Sequence, residues 1–322
     1  AALGISGPVA VALPEGVRFV GVSVSRNPYG LVHACALSSE GAAWCWGDDQ
    51  YGQLGRGGEG PCCGATPLAV AMPDATTFTE ISAGFEHTCA LARDRTVWCW
   101  GEGSYGQLAD GSPTEDDWNA GMDHSVDRPT RVSLPDGAAV AKVASGGNST
   151  CVLTTTGAVW CWGEDNSFLP KARPVEMPLP PDVAFSTLAA SEGQLCGLTA
   201  EGTVWCWADT AGSGRSEENS FGATAPVPGP KGVAFSRLTA GRAHFCALST
   251  TGTVWCWGAW GGFGTPGDYF GEVPFPAESV PSPVAFASAT GRRFTDVAAG
   301  DGQTCGIATD STVWCWGSND WG

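Results

Sequence analysis

Hydrophobic residues follow a pattern that recurs six times along this chain of 322 residues. Each copy has an apolar segment that ends in small residues, such as Ile81-Ser82-Ala83-Gly84, then a strand with a cysteine, a tight turn, and a second strand that ends in Trp-Cys-Trp. The paired cysteines are Cys35/Cys45, Cys89/Cys99, Cys151/Cys161, Cys196/Cys206, Cys246/Cys256 and Cys305/Cys315. A repeat of this kind predicts one architecture of stacked units.

The spacing of the cysteines predicts a β-hairpin in every copy. The two cysteines are separated by 9 residues, so the hairpin needs a three-residue turn, which usually ends on a glycine with positive φ. Glycine stands at that place in four copies, at Gly41, Gly157, Gly202 and Gly252. Arg95 and Ser311 occupy it in the other two, and we expect those turns to be strained or differently built.

Hairpin geometry also predicts six disulfides, one in each hairpin. Residues that face each other in a non-hydrogen-bonded antiparallel pair have Cα atoms about 4.5 Å apart, which is within disulfide range. Each bond is expected to contribute up to roughly 3 kcal/mol. Because strand side chains alternate, Trp44 and Trp46 should point away from the disulfide of their own unit. Stacking should place such indoles near the cystine of a neighbour and bury both faces of the sheet.

The rest of each unit predicts a fourth strand. A variable loop is followed by an extended segment opened by a proline, at Pro67, Pro129, Pro174, Pro226 and Pro283. The last unit lacks this segment, but residues 7–14 resemble residues 66–73, so the N-terminus is expected to supply it. We therefore predict an all-β, six-bladed β-propeller with four-stranded antiparallel blades, closed where the N-terminal strand joins the last blade. Seven blades are the alternative.

The predicted domain organisation is a single domain over residues 1–322. Its units are 15–73, 74–134, 135–180, 181–230, 231–288, and 289–322 together with 1–14. The 46 glycines and 22 prolines suit short strands joined by turns. The cysteine pattern points to an oxidising compartment, so we expect a secreted or cell-surface protein, periplasmic or extracellular. The chain begins at Ala1 rather than Met, which we interpret as the result of signal cleavage.

The formal net charge of −17 argues against two classes of partner. An acidic surface repels phosphate backbones and anionic lipids, so neither nucleic acid nor direct membrane insertion is expected. No stretch of 18 or more apolar residues occurs in the chain.

A more specific resemblance is found after the first Trp-Cys-Trp. The segment from Trp46 to Gly57 includes Tyr51-Gly52-Gln53-Leu54-Gly55, and Tyr105-Gly106-Gln107-Leu108 repeats it. Together with Ala83-Gly84-Phe85-Glu86-His87 and Ala240-Gly241-Arg242-Ala243-His244, these segments resemble the repeat of the regulator of chromosome condensation family. The resemblance covers nearly the whole chain and implies a propeller, although the best-known members have seven blades.

Cysteines in every hairpin are not a feature of the nuclear members of that family. They are more similar to secreted bacterial relatives, among them a β-lactamase inhibitor protein that covers an enzyme with one propeller face. The nuclear role in nucleotide exchange is not expected, because the chain lacks a basic tail.

Three histidines stand two positions before the first cysteine of a unit, at His33, His87 and His244. Ser149, Gln194 and Gln303 take that place in the other units. A ring of metal ligands is one interpretation. We favour a polar side chain that bonds to the backbone of its own blade, since serine and glutamine are poor substitutes for a histidine ligand. Zinc thiolates are disfavoured by the cysteine spacing.

The loops contain three further candidates. Cys62 and Cys63 are adjacent, and we favour a strained vicinal disulfide between them, with an intermolecular bridge or two free thiols as alternatives. The long insertion from Asp110 to Arg128 is acidic, and its candidate calcium ligands are Asp116, Asp117, Asp123 and Asp127. A solvated acidic loop is the favoured interpretation of that insertion, because no calcium-loop spacing is present. Exposed aromatic residues mark interfaces, and the candidates here are Trp118, Trp260, Phe263, Tyr269 and Phe270. Local packing over the blade is the alternative for the insertion from Trp257 to Phe270.

These features predict an exported, non-catalytic module that binds another extracellular or cell-surface protein through its variable loops. It would act as an interaction module, an inhibitor or a component of a surface assembly. No nucleophile–base pair, paired-carboxylate motif or phosphate loop stands out, so an enzyme is not expected. A lectin-like propeller that binds glycans or small ligands is the alternative, and an extracellular hydrolase ranks below it. No cofactor is predicted apart from the possible calcium.

Overall fold

The computed structural model describes residues 11–27, 30, 32–58, 63–73, 76–112, 124–164, 170–207, 224–227, 231–258, 282–283 and 291–317. These residues form 23 β-strands and one short 3₁₀ helix, Pro135–Gly137. The strands belong to six antiparallel sheets, each made of consecutive strands and termed here blades 1 to 6. The predicted all-β class is confirmed.

Blades 1 to 5 each have four strands in the described residues, and blade 6 has three. Blade 1 contains β1 (Phe19–Val24), β2 (His33–Ser38), β3 (Ala43–Asp48) and β4 (Cys63–Ala69). Blade 2 contains β5 (Phe78–Ala83), β6 (His87–Ala92), β7 (Val97–Glu102) and β8 (Ser125–Arg131). Blade 3 contains β9 (Val140–Gly146), β10 (Ser149–Thr154), β11 (Val159–Glu164) and β12 (Pro170–Glu176).

The remaining blades repeat this order. Blade 4 contains β13 (Phe185–Ser191), β14 (Gln194–Thr199), β15 (Val204–Trp207) and β16 (Thr224–Pro226). Blade 5 contains β17 (Phe235–Ala240), β18 (His244–Ser249), β19 (Val254–Gly258) and β20 (Ser282–Pro283). Blade 6 contains β21 (Phe294–Ala299), β22 (Gln303–Ala308) and β23 (Val313–Gly317).

The second and third strands of every blade form the predicted disulfide-bonded hairpin. The two cysteines face each other in the strand register, as Cys35 faces Cys45 in blade 1. All six predicted bonds are present, with Cα–Cα distances of 4.0 to 4.1 Å. The six hairpin disulfides are therefore confirmed.

The hairpin turns share one backbone conformation in all six blades. In blade 1 the Gly41 amide donates to the Ser38 carbonyl at 3.0 Å, and Gly41 has φ of 87°. Arg95 and Ser311 take the same left-handed conformation, with φ of 72° and 65°. A residue with a Cβ is strained there, so these two turns are strained as predicted but not differently built.

The prolines lie within or at the end of the fourth strands rather than opening them. In blade 1, β4 begins at Cys63 and contains Pro67. The fourth strand pairs with one neighbour in the described residues, and an edge strand tolerates the missing N–H of proline. The predicted fourth strands are thus present in blades 1 to 5, but their predicted starting points are wrong.

Neighbouring blades stack with the cystine of one blade against the second Trp-Cys-Trp indole of the next. Five core clusters share this composition, pairing Cys35 and Cys45 with Trp100, Cys89 and Cys99 with Trp162, Cys151 and Cys161 with Trp207, Cys196 and the adjacent Cys206 with Trp257, and Cys246 and Cys256 with Trp316. The predicted alternation of cystine and indole faces is confirmed at these five interfaces.

The interface between blades 4 and 5 departs from the expected burial at Cys206. The predicted bond between Cys196 and Cys206 is present, with Cα atoms 4.0 Å apart. However, Cys206 is only partly buried, whereas the other cysteines of these five interfaces are at most 2 % exposed. Val227, whose counterparts Val132 and Met177 are buried, is also only partly buried. Blade 5 thus covers the third and fourth strands of blade 4 less completely, and the prediction that stacking buries the whole cystine face was wrong at Cys206.

The two end blades each leave one face uncovered in the described residues. Val22 on β1 is 64 % exposed, whereas three of its five counterparts, Val143, Leu188 and Val297, are at most 7 % exposed and the other two, Ile81 and Leu238, are partly buried. Val313 on β23 is 67 % exposed, while the valines at its place in other blades are nearly fully buried. None of the core clusters of the described residues joins blade 6 to blade 1. Residues 7–10, the first half of the predicted closing segment, lie outside the described residues, and residues 11–14 form no strand.

Candidate functional site

The variable connections leave the blades at one end, termed here the loop face. It is the end where strand one joins strand two and strand three joins strand four. The amide that ends the third strand donates to the first connection of its own blade, as from Asp48 to Val32 at 3.0 Å and from Glu102 to Glu86 at 2.9 Å. The opposite end, termed the hairpin face, carries the uniform three-residue turns.

Two glutamates near the loop face are partly or fully buried, Glu86 and Glu102. Asn27 of blade 1 donates to Glu86 of blade 2 at 2.9 Å, and the Ser104 amide donates to Glu102 at 2.8 Å. Burial raises the pKa of both Glu86 and Glu102 above the ordinary value, against the opposing effect of these hydrogen bonds. Nearby Asp48 raises the pKa of Glu86 further. These side chains therefore bind protons more readily than exposed carboxylates do.

An ion-paired group borders the first-to-second connections of blades 4, 5 and 6. The Arg242 Nε donates to Glu192 at 2.8 Å, and an Arg242 nitrogen lies 3.9 Å from Asp301. Burial raises the pKa of Asp301, although Arg242 opposes that shift. The loop face thus carries both signs of charge.

An open cavity of about 160 Å³, termed here the axial cavity, is lined by the first strands of blades 2 to 5. Its lining residues are Arg26, Glu80, Ile81, Ser82, Val143, Ala144, Ser145, Leu188, Ala189, Ala190, Leu238, Thr239 and Ala240. Arg26 comes from the first connection of blade 1 and reaches blade 4, where its Nη1 donates to the Ala190 carbonyl at 3.2 Å. Nothing in the repeat pattern marks Arg26, so its position at the cavity could not be predicted from the sequence.

The Gly-Gln-Leu signature has a structural role. The Gln53 side chain is buried and donates to Asp48 at 2.7 Å, while it accepts from the Tyr51 amide at 2.9 Å. Its main-chain carbonyl accepts from the Trp100 indole of blade 2 at 2.9 Å. Gln107 and Trp162 repeat this contact at 2.8 Å. The signature therefore orders the loop and bonds it to the next blade.

The three repeat histidines bond to the next blade, so the favoured prediction was wrong for them. It is confirmed at Ser149, whose hydroxyl donates to the Gly146 carbonyl of its own blade at 2.9 Å. Nε2 of each histidine lies 2.8 to 2.9 Å from a threonine hydroxyl one blade further on, in the pairs His33/Thr88, His87/Thr150 and His244/Thr304. We term these pairs the interblade ladder. A metal ring is not supported, since no group of three potential metal-binding side chains occurs in the described part of the chain.

The ladder histidines are neutral over the physiological range. Burial lowers the pKa of His33 and His87 to about 3 and that of His244 to about 4. The Thr88 hydroxyl donates to the Gln53 carbonyl at 3.0 Å, so the His33 Nε2 must carry the proton and donate to Thr88. A sequence signal existed, because threonine follows the ladder position of a blade wherever the preceding blade carries histidine.

Most other predicted site residues lie outside the described residues. These are Asp116, Asp117, Asp123, Trp118, Trp260, Phe263, Tyr269, Phe270 and Cys62. Asp127 is exposed on β8, and its carbonyl accepts from Gly57 at 2.8 Å. Cys63 begins β4. The calcium site, the aromatic interface and the vicinal disulfide stay predictions.

The stacked blades define a repeat protein of the propeller type. Two models of the "Regulator of chromosome condensation (RCC1) repeat" match the sequence, one at residues 78–107, 140–168, 235–264 and 294–320, the other at 40–91 and 94–153. Together they match more than half of the chain, which belongs to this family.

Individual comparisons agree with that membership. The mitochondrial RCC1 domain-containing protein RUG3 of Arabidopsis thaliana is 29 % identical over 158 residues, covering 49 % of this chain and 33 % of RUG3. The chain thus spans about a third of the length of that relative. Human WBSCR16 has a similar structure, with a TM-score of 0.76, 18 % identity and coverage of 95 % and 79 %. Yeast RCC1 (Prp20) bound to Kap60 gives a TM-score of 0.69, 20 % identity and coverage of 93 % and 70 %.

Two further observations bear on the compartment. Six disulfides are typical of proteins in an oxidising environment. In the part of the chain that the structure describes, no helix has the length and apolar character needed to cross a bilayer.

Proposed function

We propose that this protein is an exported, non-catalytic module that binds another extracellular or cell-surface protein through its loop face. One observation carries the proposal. The third-to-fourth connections vary from residues 165–169 in blade 3 to residues 259–281 in blade 5, yet all leave from the same end of rigid, disulfide-bonded sheets. Variable connections presented by a rigid scaffold are a common arrangement for recognition.

The charge of the molecule favours a particular kind of partner. With a net charge of −17, the chain attracts proteins that present a basic surface and repels nucleic acid and anionic membranes. Yeast RCC1, which shares the fold, is seen bound to another protein, Kap60. Inhibition of an enzyme and participation in a surface assembly both fit a module of this kind.

The proposal is tested with loop-face variants. The chain is immobilised, proteins from the extracellular fraction of its source are captured, and a captured protein is purified and titrated back by calorimetry. Replacing residues 259–281 or 113–123 with short glycine–serine linkers should weaken binding at least tenfold. Glu201→Lys on the hairpin face, which changes charge at an exposed turn, should leave it unchanged.

Other results would favour the alternative functions. Binding on a glycan array without a purified protein partner would support a lectin. Turnover in hydrolase screens would contradict the non-catalytic proposal. Loss of binding in Glu201→Lys, with full binding in the linker variants, would place the interface on the hairpin face and contradict the proposal.

Export itself is tested by the state of the cysteines. We expect denatured, unreduced protein from its native source to have at most the two thiols of Cys62 and Cys63 free, because the six hairpin bonds use the other 12 cysteines. Twelve or more alkylated cysteines would contradict both the disulfides and the export.

We also propose that the chain is one domain whose ring closes by packing blade 6 onto blade 1. The uncovered face of blade 6 presents the Cys305–Cys315 disulfide, Ile307 and Val313, which are the residue types of the cystine face at five buried interfaces. The uncovered face of blade 1 presents Val22 at the place where other blades contact a cystine face. Blade 6 thus exposes a cystine face, and blade 1 exposes the kind of face that packs on a cystine in the other blades.

Closure is tested with Val22→Asp and its neighbour Val20→Asp. A closed ring buries Val22, and an unpaired buried carboxylate costs several kcal/mol, so Val22→Asp should lower the free energy of unfolding by at least about 3 kcal/mol. Val20 occupies a place that is also exposed in blade 2, at Thr79, and its variant should change stability little. Equal, small effects measured by urea denaturation would contradict closure, as would dimers in sedimentation that dissociate in Val22→Asp.

A further inference from the structure

Arg26 is a partly buried cation that lines the axial cavity. Among the residues that the structure describes, no carboxylate lies within ion-pair distance of Arg26. Its described hydrogen bond uses one donor, to the Ala190 carbonyl, whereas a guanidinium has five N–H donors. A partly desolvated guanidinium with unused N–H donors and no carboxylate within ion-pair distance in the described residues favours an anion as its partner.

The surroundings of Arg26 support the same conclusion. Desolvation lowers the pKa of Arg26 to about 10, and no carboxylate of the described residues opposes this shift. Its charge also contributes, after burial, to the low pKa of His244. The guanidinium is therefore still protonated at neutral pH, and its positive field extends to the neighbouring blades.

We propose that the axial cavity binds a small oxoanion, a carboxylate, phosphate or sulfate, held by Arg26. The planar guanidinium fork matches two oxygens of such an anion. Ser82 and Thr239 also line the cavity, and their hydroxyl oxygens accept from the Ser145 and Ala299 amides at 2.8 and 3.2 Å. Each hydroxyl proton thus remains available for donation to a ligand.

The size of the cavity suits a small ligand. Its volume of about 160 Å³ has room for several waters and accepts sulfate, phosphate or a short carboxylate. Arg26 belongs to a loop-face connection, but anion binding does not depend on the proposed protein-binding function.

One acidic side chain lines the cavity among the described residues, at Glu80. It does not act as the missing counter-ion, because its carboxylate is paired with Lys142 at 3.5 Å. Burial raises the pKa of Glu80 despite this pairing. Its repulsion of an anion is thus reduced by Lys142.

The test is calorimetric titration of the full chain with sodium phosphate, sulfate or acetate in the low-millimolar range, with chloride holding ionic strength constant. Wild type should bind at least one of them saturably. Arg26→Gln should weaken that binding about tenfold or more, and Arg26→Lys should fall between the two because it keeps the charge but loses the fork. Arg93→Gln removes an exposed hairpin-face arginine and should bind as wild type does.

Thermal unfolding provides a second readout. In chloride, Arg26→Met should be at least as stable as wild type, because it removes an uncompensated cation, and the oxoanion should raise the melting temperature of wild type alone. Equal stabilisation of wild type and Arg26→Met would indicate general salt exclusion and would overturn the proposal. So would the absence of saturable binding, or binding that Arg26→Gln and Arg26→Lys leave unchanged.

Discussion

At the scale of single residues, the interblade ladder explains a family signature. The imidazole of His87 lies directly against Gly84, so a Cβ at that glycine would overlap the ring. Gly241 and His244 have the same relation. In these two blades, glycine three positions before the histidine is thus needed for the ring to bond to the next blade, whereas Gly30, three positions before His33, has no atom within 4 Å of a Cβ.

Removing a ladder hydroxyl should destabilise the fold. Thr88→Val keeps the shape of the side chain but leaves the buried His33 Nε2 and the Gln53 carbonyl each without one hydrogen bond. We expect the free energy of unfolding to fall by about 1 to 3 kcal/mol, measured by urea denaturation. Thr155→Val, at an exposed turn, is the control, and equal effects of the two changes would contradict the role of the ladder.

The sequence predicted the cysteine partners but not the histidine partners. A cysteine pair meets within one hairpin, where the number of intervening residues determines which side chains face each other. His33 and Thr88 belong to neighbouring blades and are 55 residues apart in the sequence. The spacing within one repeat therefore carries no information about their contact. Comparing consecutive repeats would have revealed it, since Ser149 and Gln194 precede blades with Leu195 and Phe245 in place of threonine.

At the scale of the element, the hairpin turns show tertiary packing overriding the backbone preference of single residues. Six turns adopt one conformation although two lack the glycine that it favours. The disulfide and the stacked neighbours hold Arg95 in a left-handed conformation that costs roughly 1 kcal/mol or more. The repeat therefore dictates the turn even where the residue opposes it.

Arg95→Gly should stabilise the protein. Relief of the left-handed strain is partly offset by the greater freedom of glycine in the unfolded chain, so we expect a gain of up to about 1 kcal/mol in the free energy of unfolding. Arg93→Gly, two positions earlier and not in the left-handed conformation, should be neutral or destabilising. A loss of stability in Arg95→Gly would show that its side chain contributes more than its backbone strain removes.

At the scale of the whole molecule, the buried histidines make stability depend on pH. The ladder histidines have folded pKa values of about 3 to 4 against an ordinary value of 6.5. Below pH 6.5 the unfolded chain binds protons that the folded chain does not, so stability is fully present above that pH and is lost as the pH falls towards 4. Glu80, Glu86, Glu102 and Asp301 act in the opposite sense at lower pH, because their folded pKa values are raised.

Unfolding by urea should therefore become easier between pH 7.5 and 5.5. We expect a loss of roughly 1 kcal/mol for each ladder histidine, or ~3 to 4 kcal/mol in total. His87→Gln, a residue that two other repeats carry at this place, should reduce that loss by about a third. A pH profile parallel to that of wild type would show that His87 titrates normally in the folded state.

The six described disulfides all lie inside single hairpins, and none connects one blade to another. Each repeat therefore contains both cysteines of its own disulfide. Duplication or deletion of one repeat in a gene would add or remove a complete cystine and leave no unpaired thiol behind. Disulfide pairing therefore places no constraint on blade number in this lineage, and the number can change by whole units during evolution.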